Sequence, residues 1–278
     1  MSSQKSIARG GIRVRLFLFT ALALALVVCA LFSDSLAPYD PYAQDLSMAK
    51  LAPSAAHPLG TDRYGRDMLS RVIAGSRASI LSTLLLVAFI TALGTLAGVL
   101  GGWRGGWVDT VLMRLSDIFL AFPGLVFAMG VAGTLGGGLH NAVFALAAVS
   151  WPKYARLARS QTLAQKERTW MKAARLSGSG TAKILWKHLL PNILGPILVT
   201  AVLDIGTMMM ELAALSFLGL GAKPPTPEWG SMMSDTRSLL STAPWIPLSP
   251  GLAIFLSVTV FNLLGDAVRD ALDPRNRR

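Results

Sequence analysis

Lys172-Ala173-Ala174-Arg175-Leu176-Ser177-Gly178, followed after nine residues by His188-Leu189-Leu190-Pro191, is the stretch whose reading decides the fold. It lies within residues 153–190, which carry nine Lys/Arg and one acid, Glu167. Apolar runs flank it on both sides, and a basic loop between membrane spans stays on the cytoplasmic side. Met171, Ala174 and Arg175 recur at helical spacing, which predicts a short helix over 169–177. Ala173 and Ala174 would let a partner surface approach closely. Gly178 stands just past that helix, where a left-handed residue is cheap for glycine. Pro191 suits the first turn of a following helix, with His188 and Leu190 beside it. The plainer reading is a basic loop with incidental alanines.

Composition places this loop in a membrane protein. The chain has 278 residues, of which 53% are hydrophobic and 15% charged. Mean hydropathy is +0.52, and soluble domains usually hold about 25% charged residues. A spanning helix needs about 20 apolar residues. Runs of that kind occur at 16–32, 80–103, 118–139 with Pro123 as a kink, 136–152, 189–220 and 246–265. The fourth helix is expected to run on past Lys153. The expectation is an all-α integral membrane protein of six transmembrane helices with a cytoplasmic helix between spans 4 and 5. Its parts are a tail at 1–15, a first span at 16–32, an outer loop at 33–79, a core at 80–265 and a tail at 266–278. The first apolar run exceeds the usual h-region of about 7–15 residues, so an uncleaved span is expected rather than a signal peptide. Cys29 is the one cysteine, so no internal disulfide forms.

Charge sets the orientation. Residues 1–15, 104–117, 153–190 and 266–278 hold nineteen Lys/Arg, and the opposite loops hold seven. Both termini are therefore expected in the cytoplasm. The net charge of +11 is a topology signal rather than a sign of nucleic-acid binding. No lysine follows a glycine anywhere in the chain, so the phosphate loop G-x-x-x-x-G-K-[ST] is absent. The spans show no metal-ligand cluster and no nucleophile–base set, which argues against an enzyme. Uphill transport by ATP would require a separate ATPase and a docking element for it.

The 172–191 spacing resembles the coupling loop of ABC importer permeases, whose pattern is E-A-A-x-x-x-G, nine residues, I-x-L-P. Lys172 replaces the glutamate, so any salt bridge made by that acid is lost and an acidic partner patch would suit the lysine. Three further segments resemble the dipeptide/oligopeptide/nickel branch, in its second, C-type permease. They are His57-Pro58-Leu59-Gly60-Thr61-Asp62 with Gly65-Arg66-Asp67, Leu215–Gly221 with Glu228-Trp229-Gly230, and Phe261-Asn262 through Asp273-Pro274-Arg275. The resemblance implies a second related permease, two ATP-binding subunits using ATP and Mg, and an extracytoplasmic solute-binding protein. It implies a bilayer location in a bacterial-type cytoplasmic (inner) membrane and no cofactor in this chain. Lys172, Ala173, Ala174, Arg175, Gly178, His188, Leu190 and Pro191 would be the ATPase-coupling residues.

Other readings stay open. Arg63, Arg66, Arg71 and Arg77 could meet lipid headgroups or a binding protein, or form a local salt-bridged fold with Asp62 and Asp67. Residues 217–229 could gate the outer mouth or simply pack. Asp204 and Glu211 share one helix face with Met208 between them. Charges inside a membrane usually face the bundle interior or water. The three residues are candidates for a substrate path, or the acids pair with a partner permease. The expected function is import of small peptides or nickel, free or chelated. The alternative is a secondary transporter or channel using Asp204 and Glu211 as an ion relay.

Overall fold

A computed structural model describes residues 2–272, with residues 2–10 and Arg175 given in backbone only. Most of the described residues are helical. Among the described residues the one β-contact is an isolated bridge between Thr61 and Asp67. The helices are α1 (Ser2–Leu31), α2 (Met68–Arg104), α3 (Gly106–Leu120), α4 (Gly124–Thr134) and α5 (Leu139–Lys166). They continue as α6 (Thr169–Leu176), α7 (Thr181–Phe217), α8 (Trp229–Thr236) and α9 (Trp245–Leu272). Four segments are long and apolar enough to cross a membrane: Gly11–Leu31, α2, α7 and α9. The α3–α4 pair makes a fifth if it counts as one span.

Several expected boundaries move. The run 118–139 is not one kinked helix. The chain breaks between Leu120 and Gly124 and turns by 90°. Pro123 lacks an N–H and pushes Phe122 out of helical geometry, so the helix ends there instead of bending. The second helix begins at Met68, well before Ile80, because Asp67 caps it: its carboxylate accepts the Ser70 N–H at 2.7 Å. Counting only uncharged residues hid that start behind Arg71 and Arg77. The helix after the basic loop likewise begins at Thr181 and passes through a π-helical turn at Ile184–Leu189. Pro191 therefore sits inside a continuous helix rather than opening one. A wide turn just before a proline eases the clash of its ring with the preceding turn. The extension of the fourth helix beyond Lys153 is found, ending at Lys166.

Glycines set the tightest packing. Gly94, Gly98 and Gly102 lie along one face of α2 and press on α5. A Cβ at Gly94 would lie 2.5 Å from the Trp151 carbonyl, and one at Gly102 would lie 3.0 Å from the Thr162 side chain. Gly98 meets the Ala155 carbonyl and the Ala158 methyl. Small residues four apart let backbones approach where no water drives helices together. On the other side of the bundle, Gly265 of α9 receives Leu203 of α7, and Asn262 covers Gly206.

The segment between α1 and α2 folds on its own charges. Asp62 accepts the Tyr64 N–H at 2.8 Å, the Arg66 N–H at 3.0 Å and the Arg66 Nε–H at 2.6 Å. Arg71 Nε lies 3.6 Å from the same carboxylate and Nη1 donates to the Pro41 carbonyl at 3.0 Å. His57 Nδ1 stands 2.9 Å from Asp67. Asp62, Arg66, Asp67 and Arg71 are all buried. Gly65 makes this turn with φ +75, and a side chain there would run into the Asp45 backbone. Arg77 pairs with Asp34 at 2.7 Å on the surface, and Arg63 is exposed.

Residues 217–229 lead to a second anchor. Glu228 is buried and caps α8, accepting the Gly230 and Ser231 N–H groups at 2.9 Å each. Ser79 of α2 donates to the same carboxylate at 3.1 Å, and Trp229 Nε1 donates to the Val72 carbonyl at 2.9 Å. These contacts clamp α8 to α2.

Candidate functional site

Two places deserve the description of a site: the α5–α6–α7 connector and the charges where α5 meets α7. In the connector, α6 is amphipathic. Met171 is fully buried, Trp170 and Ala174 are half-buried, and Thr169, Lys172, Ala173 and Leu176 point outward. Trp170 packs on His188 with ring centroids 6.2 Å apart, which ties α6 to the start of α7. Gly178 adopts φ +76, and the Ser179 N–H donates to the Ala174 carbonyl at 3.1 Å. This is the left-handed helix stop with its long return bond. Leu176 is 89% exposed and Trp186 is 71% exposed.

The other connector residues are less prominent. Lys172 reaches Glu167 at 3.9 Å, with both side chains largely in the open. Such pairs contribute about 0–1 kcal/mol, so Lys172 remains available to a partner. His188 and Leu190 are half-buried, Leu189 is fully buried, and Pro191 is exposed. The side chain of Arg175 lies outside the described residues, as do Asp273, Pro274 and Arg275 of the C-terminal motif.

At the α5–α7 contact, Asp204 is buried and fully engaged. Lys153 Nζ donates to its two oxygens at 2.6 and 2.8 Å, and the Tyr154 hydroxyl donates at 2.8 Å. Asp204 thus finds its countercharge within the chain. Met208 is buried one turn further along α7. Glu211 is half-buried and makes no hydrogen bond or ion pair with any described residue, although it lies within electrostatic reach of Asp204 and Lys153. Among the described residues no group of three His, Cys, Asp or Glu could hold a metal ion.

Sequence reading missed Lys153 and Tyr154 as partners of Asp204. Lys153 served there only as a topology charge. The available signal was that an acid inside a span needs a base on a facing helix. The same holds further down α5. Arg159 forms a bidentate pair with Asp109 of α3 at 2.5 and 2.6 Å, and Arg156 reaches Asp117 at 2.6 Å. Lys166 donates to the Trp103 carbonyl at 2.8 Å. Beside the charges, α7, α8 and α9 bound an open apolar groove of ≈ 770 Å³ lined by Met210, Phe217, Met233 and Phe255 among others.

Comparison with known proteins agrees with this architecture. The family model described as "Binding-protein-dependent transport system inner membrane component" matches residues 90–278. The Escherichia coli nickel transport system permease protein NikC is 44% identical over 261 residues, covering 94% of each chain. The Pseudomonas aeruginosa di/tripeptide transport system permease protein DppC is 43% identical over 91% of this chain and 85% of its own. The Salmonella typhimurium glutathione transport system permease protein GsiD is 46% identical over 91% and 84%. Among solved structures, an inward-facing form of the MetNI methionine ABC transporter superposes with a TM-score of 0.59 at 19% identity. It covers 74% of this chain and 98% of that one, a likeness of fold. With the helical bundle, the α6 connector and these relatives together, the chain belongs to the binding-protein-dependent ABC importer permeases, in their peptide/nickel branch.

Proposed function

We propose that this chain is one of two related permease subunits of an inner-membrane importer for small peptides or nickel, free or chelated. In this reading α1, α2, the α3–α4 pair, α5, α7 and α9 are six spans, and both termini and α6 are cytoplasmic. The nineteen-to-seven division of Lys/Arg supports that orientation. Two ATP-binding subunits supply ATP hydrolysis with Mg, and an extracytoplasmic protein delivers solute. The names of NikC, DppC and GsiD support the solute classes.

The observation that carries the coupling role is the outward face of α6. A short helix held by Met171 and Trp170 presents Leu176, Ala173 and Lys172 to a partner. Lys172, Ala173, Ala174, Arg175, Gly178, His188, Leu190 and Pro191 make up the coupling segment. Closure of the ATPase pair would push α6. The basic half of α5, ionically tied to α3 and α7, would carry that push into the bundle. The chain supplies path and lever and performs no covalent chemistry.

Leu176→Asp tests this. Its stability effect should stay within about 0.5 kcal/mol, because the site is a surface position. The variant should reach the membrane at normal levels, fail to co-purify with the ATP-binding subunits and lose ATP-driven uptake of labelled dipeptide and of nickel. Normal co-purification and uptake would remove α6 from the coupling role.

A further inference from the structure

A second groove, of ≈ 530 Å³, lies between the last turns of α2 and the first turns of α7. Glu228 and Trp229, just past the end of α7, contact Ser79 and Val72 near the start of α2. The two helices are therefore antiparallel, and the start of α7 lies toward the end of α2. Arg104 closes α2 and Thr181 opens α7, so the two stand together at one end of the groove. From there the lining runs to Thr95 on α2 and Leu190 on α7. Each stretch rises about 14 Å at 1.5 Å per residue. That is close to the depth of one leaflet, half of a hydrocarbon core of about 30 Å. Leu96, Val99, Leu100 and Leu185 make the walls between the two ends apolar.

The mouth of the groove is cationic. Arg104 is exposed and makes no ion pair among the described residues, and the same holds for Lys183 and Lys187 on the first turns of α7. No acid occurs between Glu167 and Asp204. Asp109, the nearest acid after Arg104 in the chain, is held by Arg159 at 2.5 and 2.6 Å. Lys166 meets the carbonyls that end α2, at 2.8 Å from that of Trp103, so Arg104 is not needed there. Tryptophan marks the same level. Trp103 and Trp186 line the groove, Trp186 is 71% exposed, and Trp107 just beyond Arg104 is 77% exposed. Tryptophan gathers where membrane meets water, with its ring at the headgroups.

Over the depth of one leaflet the groove thus passes from apolar walls to a cationic mouth rimmed by tryptophan. A phospholipid has that profile, with an apolar chain below a charged phosphate. A protein partner requires no such gradient. A lipid whose headgroup also carries a cation gains less here, because Arg104 and both lysines repel that cation.

We propose that the α2–α7 groove binds an anionic phospholipid of the cytoplasmic leaflet, with an acyl chain along Leu96, Leu100 and Leu190 and the headgroup phosphate on Arg104. The planar guanidinium suits a phosphate through two parallel N–H···O bonds. Trp186 stands two residues before His188, on which Trp170 of α6 packs. The bound lipid therefore borders the connector and braces the start of α7 against α2. This rests on the cytoplasmic placement of α6 proposed above.

The test uses the whole complex in phosphatidylcholine vesicles that hold a trace of photoactivatable phosphatidylglycerol or photoactivatable phosphatidylcholine, with the reactive group on an acyl chain. Mass spectrometry locates the cross-links. Phosphatidylglycerol should label residues 95–104 and 181–190 about tenfold more than phosphatidylcholine does. Arg104→Gln should lower that labelling about tenfold, the loss of one charge-assisted contact, and Arg104→Lys should retain most of it. Equal labelling by the two lipids would reduce the groove to ordinary lipid contact and overturn the site. So would phosphatidylglycerol labelling unchanged in Arg104→Gln. Absence of labelling by either lipid would mean that a protein subunit covers the groove, and would overturn it too. Lys187→Cys in a Cys29→Ser background, probed with a membrane-impermeant maleimide, checks the orientation separately. Labelling in inverted vesicles alone is expected; with no lipid preference, it sinks the lipid site and spares the permease reading. Labelling in spheroplasts alone would remove the cytoplasmic placement, and the lipid site with it.

Discussion

The segment that leads from α1 into the first turn of α2 and the connector between α5 and α7 both carry arginine or lysine, yet they treat their charges in opposite ways. At the entry to α2, Asp62 holds Arg66 and Arg71, while Asp67 holds His57 and the Ser70 N–H, with Asp62, Arg66, Asp67 and Arg71 all buried. In the connector, the one ion pair of Lys172 among the described residues is with Glu167 at 3.9 Å, and Leu176 stands in the open. The first arrangement consumes its bonding capacity in holding the fold. The second leaves capacity unused, and unused capacity on a rigid helix is what a partner can take up. Burial, which the two sequences do not display, separates the two arrangements.

The contrast can be broken most forcefully at Asp62. Asp62→Ala leaves Arg66 and Arg71 buried without their shared anion, and breaking a buried pair costs about 3–5 kcal/mol. Thermal unfolding in detergent should drop sharply, and the variant should be scarce in the membrane. A variant as stable as the wild type would show that water, not Asp62, compensates those arginines.

A smaller loss is expected where the bundle rather than a loop bears the change. Gly98→Leu forces a side chain against the Ala155 carbonyl and the Ala158 methyl between α2 and α5. Overpacking of this kind costs about 1–3 kcal/mol. Protease resistance of the purified chain should fall, and Gly98→Ala should fall less. Equal behaviour of the two variants would mean that the α2–α5 spacing is more tolerant than its contacts indicate.

The smallest stability effect belongs to the connector. Gly178 has open space around it, so a substitution meets strain only through its φ of +76. A β-branched residue in left-handed geometry costs about 1–2 kcal/mol, and asparagine tolerates it better. Gly178→Val should thus fray the end of α6 while Gly178→Asn largely preserves it. Hydrogen exchange at Ser177 and Ser179 reads this directly. Indistinguishable exchange in the two variants would remove the left-handed stop as the cause of the helix end.

Much of this was legible in the sequence because it rests on local chemistry. The apolar runs mark helices whatever they pack against, and Gly178 marks a helix stop because only a residue without Cβ takes that conformation freely. Pro123 was legible as a disturbance, but not as a right-angled break, since neighbouring contacts determine whether a proline bends or ends a helix. The start of α2 was hidden because its arginines counted against a span. Arg71 is buried on partners brought from Pro41 and Asp62, and Arg77 reaches Asp34 at the surface.

The sequence by itself determined the helical membrane character, the absence of a phosphate loop and the connector motif, because each depends on residue type at short spacing. The tertiary structure alone decided which charges are spoken for. Lys153 and Asp204 lie on different helices far apart in the chain, and so do Ser79 and Glu228. No periodicity in one segment can report a partner that arrives only when two helices pack.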